Sequence, residues 1–335
     1  MLVYTIRRVL LAIPQLVFIA FVIFLLLDLA PGDGPSDIPL TVPPEVREQI
    51  RAALGLDEPL HVRFGLWLYR LAVVEPSVWI DRTFGTSLSD GQVRIISWQS
   101  KFPVMDVVAQ RLPQTLWVVG MGYVVGVLIA LPIGIVSAVR QYSVFDQVGT
   151  LISMIGFSVP TFFTGIILIL IFSVELGWFP AIYNTQLVVD SWDSFLAQMR
   201  QMAMPVFVLA LFNAAQISRY MRASMLDNLG QDYVRTARAK GMDERTVILR
   251  HVLRNSLIPV VTVIALGVPT VFGGAIITEQ VFGVNGLGQL LIIAINANDF
   301  PMVQTLTFIF AVLIVLFNLI ADVLYGLLDP RIRYD

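Results

Sequence analysis

Two stretches of this sequence, Leu116–Val139 and Val148–Val174, run for more than twenty residues without a charged side chain. A helix rises 1.5 Å per residue, so about 20 apolar residues cross the hydrocarbon core of a bilayer. Val9–Leu29 has the same character, with Asp28 near its outer end. Ser256–Thr278 and Phe300–Ala321 are charge-free, and Gln201–Ser218 is charge-free but shorter and more polar. The expected fold class is an all-α integral membrane protein with six transmembrane helices and both termini on one side. Composition agrees: 57% of residues are hydrophobic and 14% charged, where a soluble domain is nearer a quarter charged. The net charge of -2 predicts no nucleic-acid partner, and membrane lipid is the expected surroundings. There is no cysteine, so no disulfide framework, thiolate nucleophile or cysteine metal site. The two histidines, His61 and His251, fall outside the apolar runs.

Two segments leave alternatives open. Arg7 and Arg8 before the first run suit a signal peptide, but the run is too long and Pro31 blocks cleavage after Ala30, so a retained helix is expected. Gln280–Asn298 is also charge-free, yet it holds Asn285, Gly286, Gly288, Gln289, Asn296 and Asn298. It reads as a short outer or re-entrant helix; if it crossed, the C-terminus would lie outside. Basic residues orient the chain. With a cytoplasmic N-terminus, thirteen lie inside, the two short outer loops hold Arg200 alone, and the remaining eight sit in the long segment from Pro31 to Thr115. Long loops cross largely regardless of charge, so both termini are expected in the cytoplasm. The domain plan is then 1–30 for the N-terminus and first helix, 31–115 as an extracytoplasmic insertion after helix 1, 116–326 for helices 2–6, and 327–335 as a cytoplasmic tail.

Within the insertion, Pro43-Pro44 starts a helix that Gly55 caps, and a second amphipathic stretch spans Leu60 to Val73. Glu75 to Lys101 reads as a loop, and Phe102 to Leu112 as a helix approaching the membrane. In the third span, Pro160 is expected to kink the helix, and Ser158 and Pro160 lie in a polar, small-residue midsection that suits either a solute path or close packing. Asn213 and Gln216 of the fourth span would be costly against lipid and are candidates for the same path.

The most charged stretch is Gln231 to Pro259, with Arg235, Arg238, Lys240, Arg245, Arg250 and Arg254. It reads as two short helices with a hinge. Asp232 suits the positive end of the first, Gly241 caps it in the left-handed conformation, and Asp243 with Glu244 opens the second, which runs into the next span. Arg235-Thr236-Ala237 with Gly241, and His251-Val252-Leu253-Arg254 further on, resemble the cytoplasmic EAA loop of ABC-importer permeases in the dipeptide and oligopeptide branch. The general pattern has Glu-Ala-Ala and an early proline, which here comes late, at Pro259. Leu54-Gly55-Leu56-Asp57, Phe84-Gly85-Thr86-Ser87, Arg111-Leu112-Pro113, Gly286-Leu287-Gly288 and the terminus from Asn318 to Tyr334 also resemble that family, with Asn285 and Asn298 where it shows proline and arginine.

The resemblance implies a homologous second permease subunit, two ATP-binding domains and an extracytoplasmic solute-binding protein. ATP and Mg would be bound by partner subunits, with no cofactor and no metal in this chain. The loop at about 223–256 would couple to the ATPase, with Tyr233, Val234 and Ala237 as an apolar surface and Asp232, Arg235, Arg238, Lys240 and Gly241 beside it. The 31–115 segment would be either a lid or a contact for a partner. The branch moves di- and oligopeptides, and also glutathione, nickel chelates, opines and some sugars. The chain is not expected to be an enzyme. No Walker A lysine follows a glycine, and no histidine stands in a span to activate Ser158 of Gly156-Phe157-Ser158. A secondary transporter or channel is the alternative of another class, although no ion-coupling carboxylate stands out in the spans.

Overall fold

Apolar runs become helices here because a bilayer leaves a backbone no hydrogen-bond partner but itself. The structure, a computed structural model, describes residues 2–29, 57–273 and 275–328. Its helices are α1 (Leu2–Asp28), α2 (Leu60–Tyr69), α3 (Glu75–Phe84), α4 (Val104–Thr115), α5 (Met121–Val139), α6 (Val144–Ser158), α7 (Thr161–Leu168), α8 (Trp192–Leu229), α9 (Asp232–Ala239), α10 (Glu244–Thr246), α11 (Leu253–Gly273), α12 (Ile276–Phe282), α13 (Leu287–Asn296) and α14 (Phe300–Leu328). Wider π-type turns at Arg70–Val74, Leu116–Gly120 and Val247–Val252 join α2 to α3, α4 to α5 and α10 to α11, and a further one, Ile169–Glu175, extends α7. Among the described residues the only extended pairing is the Ile96–Pro103 bridge. Among the described residues five helices are long and apolar enough to cross a membrane, and two further bent pairs bring the range to seven.

Four local expectations change. The third span is not a kinked helix: α6 and the arm beginning with α7 meet at 103°. Pro160 drives the residue before it out of the helical region, and Val159 sits at φ -82°, ψ 125°. The fourth span is longer than its charge-free core, because α8 recruits Asp193, Arg200, Arg219, Arg222 and Asp227 into 38 residues. Glu75–Phe84 is helix rather than loop; the wide turn before Pro76 makes room for its ring, and left-handed Gly85 ends the helix. The fifth span begins earlier and ends at Gly273, leaving Thr278 in the separate α12. The expected helix at 45–54 and the tail from 329 lie outside the described residues.

The chain divides into two compact units: residues 1–8, 114–288 and 316–335, and residues 9–113 and 289–315. In the first, α5 packs on α8 through a stripe of small residues, Gly122, Gly126, Ala130 and Gly134, all buried. A Cβ on Gly122 would stand 2.7 Å from Leu209, on Gly126 2.8 Å from Asn213, and on Gly134 2.6 Å from Met221. Each partner lies 87 positions beyond its glycine, a constant offset that only parallel helices give. Two parallel spans require an odd number of crossings between them, and α6 with the α7 arm is the only candidate there. That bent pair is therefore one broken crossing. The first unit also joins Arg8, near the start of α1, to Asp322, near the end of α14, at 3.0 Å. The first and last spans thus meet the same face of the membrane, so the number of crossings is even. Six satisfies this, with α12 and α13 not making a crossing.

In the second unit, Phe64 and Trp67 of α2 pack on Phe21 and Phe24 of α1, and Trp67 meets Phe308 of α14 edge-on. Arg94 bridges Glu75 and Asp106. Buried Asp299 accepts hydrogen bonds from the Ser97 hydroxyl and from the backbone N–H groups of Trp98 and Gln99.

Candidate coupling site

The expected hinge between two short helices is present. α8 stops at Leu229, and α9 opens after an extended Gln231, with Asp232 in its first turn, where a carboxylate suits the helix dipole. Gly241 follows at φ +74°, and a Cβ there would meet nothing within 4 Å. Backbone conformation, not crowding, therefore demands the glycine. Asp243 then caps the next helix by accepting from the Thr246 N–H at 3.0 Å. The Thr246 hydrogen bonds hold the Asp243 carboxyl below its ordinary value. From Glu244 the helix continues into the fifth span.

Burial divides α9 sharply. Val234 is 0% and Ala237 5% exposed, and both join an apolar cluster with Met221 and Met225 of α8 and with Val247 and Val252. They are three residues apart on one helix face. The expected apolar docking surface is therefore corrected: Val234 and Ala237 point into this chain's own core and anchor the helix. The outward face carries Tyr233, Arg235, Arg238 and Lys240. Tyr233 donates from its hydroxyl to Asn228 Oδ1 at 2.6 Å. Arg238 grips Glu244 with two hydrogen bonds, 2.6 and 3.1 Å, across the Gly241 turn, and that pairing raises its pKa above the usual arginine value. Arg235 reaches Asp232 only at 3.4 Å, with both side chains well exposed. A firmly seated short helix thus presents a polar, cationic outer face.

The four candidate path residues do not share one surface. Ser158 and Pro160 are exposed at the α6–α7 corner. Asn213 packs on Gly126 of α5 and donates to the Leu209 carbonyl of its own helix. Gln216 is half-buried. A cavity of about 370 Å³ does form between α5, α6 and α8, but Val125, Ile152, Phe207 and Leu211 line it with the hydroxyls of Ser153 and Ser218, and none of the four does.

The two arginines near the end of the fourth span, expected to reach for lipid headgroups, are held by the protein instead. Arg222 of α8 holds Asp146, in the first turn of α6, through two bonds of 2.7 and 2.8 Å, and Asp146 is buried. Arg219, a turn earlier, lies 4.7 Å over the ring of Phe157. Opposite charges at the ends of neighbouring spans were readable; their pairing across 76 positions was not.

The comparisons with known proteins bear on the whole chain. Residues 130–334 match the family described as binding-protein-dependent transport system inner membrane component, and residues 1–119 match that system's N-terminal membrane component. The oligopeptide transport system permease protein AppB of Bacillus subtilis (strain 168) is 38% identical over 338 residues, covering all of both chains. The glutathione transport system permease protein GsiC of Salmonella choleraesuis (strain SC-B67) is also 38% identical over 338 residues, again covering all of both.

Proposed function

This chain belongs to the family of binding-protein-dependent transport system inner membrane components, a multi-pass inner-membrane permease subunit of an ABC importer, and from that premise we propose that its cargo is a short peptide. The observation that carries this reading is the end-to-end match to an oligopeptide permease. The match to a glutathione permease at the same identity favours a second cargo of the same chemistry, since glutathione is itself a tripeptide. The subunit supplies the path and its partners supply the energy. A second permease chain, two ATP-binding domains holding ATP and Mg, and a solute-binding protein on the far side complete the machine. The distribution of basic residues supports a cytoplasmic position for both termini.

α9 is the contact to the ATPase. Its outer face, Tyr233 with Arg235 and Lys240, meets the partner, while Val234 and Ala237 fix the helix to α8 and to the helix that begins at Glu244. Closure of the ATPases on ATP would then move α9 and the fifth span together. The driving energy is the difference in ATP binding between the two states.

Mild-detergent purification of the tagged chain, with every co-purifying protein identified, tests the assembly. Recovery of P-loop ATPases and a second permease is expected; recovery of the chain alone would favour a carrier or channel. Uptake into proteoliposomes by that complex, with its binding protein, then tests the cargo. Labelled oligopeptides should accumulate with ATP, and accumulation of glutathione alone would move the assignment to the second cargo. Val234→Asp should uncouple ATP hydrolysis from uptake, because it places a charge in an enclosed apolar cluster.

A further inference from the structure

The run from α2 through the wide turn into α3 has two apolar faces, and only one of them is used. Phe64 and Trp67 face inward, against Phe21, Phe24 and Phe308. On the other side, Leu66, Tyr69 and Val73 follow the i, i+3, i+7 spacing of a single helix face, and each is 46 to 49% exposed. Trp79 and Phe84 of α3 extend this apolar exposure along the run.

The level at which α2 sits can be read from α1. Asp28 marks the polar end of that span, and Arg63 pairs with it at 2.6 Å while its guanidinium lies 5.7 Å from the Phe24 ring. Phe24 and Phe21 lie four and seven residues before Asp28, about 6 and 10 Å further into the span. α2 packs on both rings, so it lies beside the outermost turns of a membrane helix. That matches the depth, about 5–10 Å into the boundary between headgroups and acyl chains, at which amphipathic helices rest in the plane of a bilayer. Phe18 and Leu26 in the outer half of α1, and Leu29 just after it, are also exposed.

We propose that α2, the wide turn after it and the start of α3 form an interfacial helix whose Leu66, Tyr69 and Val73 face is bedded in lipid at the Asp28 end of α1. Tyr69 suits the place, since tyrosine and tryptophan concentrate at membrane–water boundaries. The insertion after the first span is then held to the bilayer as well as to the protein, which limits how far it can lift when the importer opens.

The chain contains no cysteine, so a single introduced one is a unique label in it. Leu66→Cys, Tyr69→Cys and Val73→Cys would each carry bimane in the full importer complex, assembled with cysteine-free partner subunits in lipid nanodiscs. Asp90→Cys, in an exposed loop, is the aqueous control. The three helix positions should lose most of their emission to lipids bearing a shallow doxyl group and little to aqueous iodide, with the reverse at position 90. Iodide quenching at the helix positions would overturn the proposal by showing a wet face. Protection from both quenchers would overturn it too, by showing that another protein covers the helix. Three separate positions keep the test open if one variant fails to assemble.

Discussion

Two neighbouring contacts in the first unit are built on opposite terms. Between α5 and α8 four small residues at four-residue spacing bring the backbones together, and no side chain separates them. Between α6 and α8 the approach is looser. A Cβ on Gly156 would stand 3.3 Å from Ala215 and Leu211, the helix breaks a few residues later, and a cavity opens alongside. In a membrane no solvent pushes apolar helices together, so close packing must do that work. The difference teaches which pair is fixed and which has room to move. α5 with α8 forms a frame, and α6 hangs from it by the Asp146–Arg222 pair and a few light contacts.

The strongest way to break this contrast is Gly134→Leu. Its Cβ would meet Met221 at 2.6 Å and the Ser218 carbonyl at 2.7 Å, and backbone cannot yield as a side chain can. The expected cost is about 3 kcal/mol or more, seen as loss of the intact complex on heated gel filtration. Next is Arg222→Ala, which leaves Asp146 enclosed without its partner. A fully buried pair would cost about 3–5 kcal/mol; the Arg222 side chain is 28% exposed, so about 2 kcal/mol is expected, with part recovered by adding Asp146→Asn. The same thermal assay reads both. Pro160→Ala should change stability by less than about 1 kcal/mol, because Phe163 and Thr164 still donate to the carbonyl of residue 160. A loss as large as that of Gly134→Leu would show that the ring itself holds the corner. The smallest effect is expected of Gly156→Ala. The helix gains up to about 1 kcal/mol from losing a glycine, and a contact at 3.3 Å offsets it, leaving a shift near zero. A large shift there would mean that α6 is clamped as tightly as α5.

Charge-free length is a strong signal, and it located the spans; Leu116–Val139 needed nothing more. Local chemistry was legible too, as Gly241 and the Asp243 cap show, because φ and capping depend on one or two residues. What escaped depends on distant partners. A proline in an apolar run can kink or break a helix, and here Val159, the residue before it, takes the extended conformation that ends α6. α8 runs past its apolar core because Arg222 finds Asp146. In an eight-residue helix flanked on every side by charge, Val234 and Ala237 look equally suited to an external partner or to the chain's own core. Only Met221, Met225 and Val252, brought together by the fold, decide it.

The corner at Val159 and Pro160 has a cost that lies outside any packing list. Pro160 carries no N–H, and the first turn of α7 and the last turn of α6 leave peptide groups that their own helices do not satisfy. Hydrocarbon cannot hydrogen-bond to them, so acyl chains are shut out of this place. Protein or hydration water must stand beside the corner at every stage of transport. Any opening and closing of the subunit therefore has to keep this corner against protein or water and away from acyl chains.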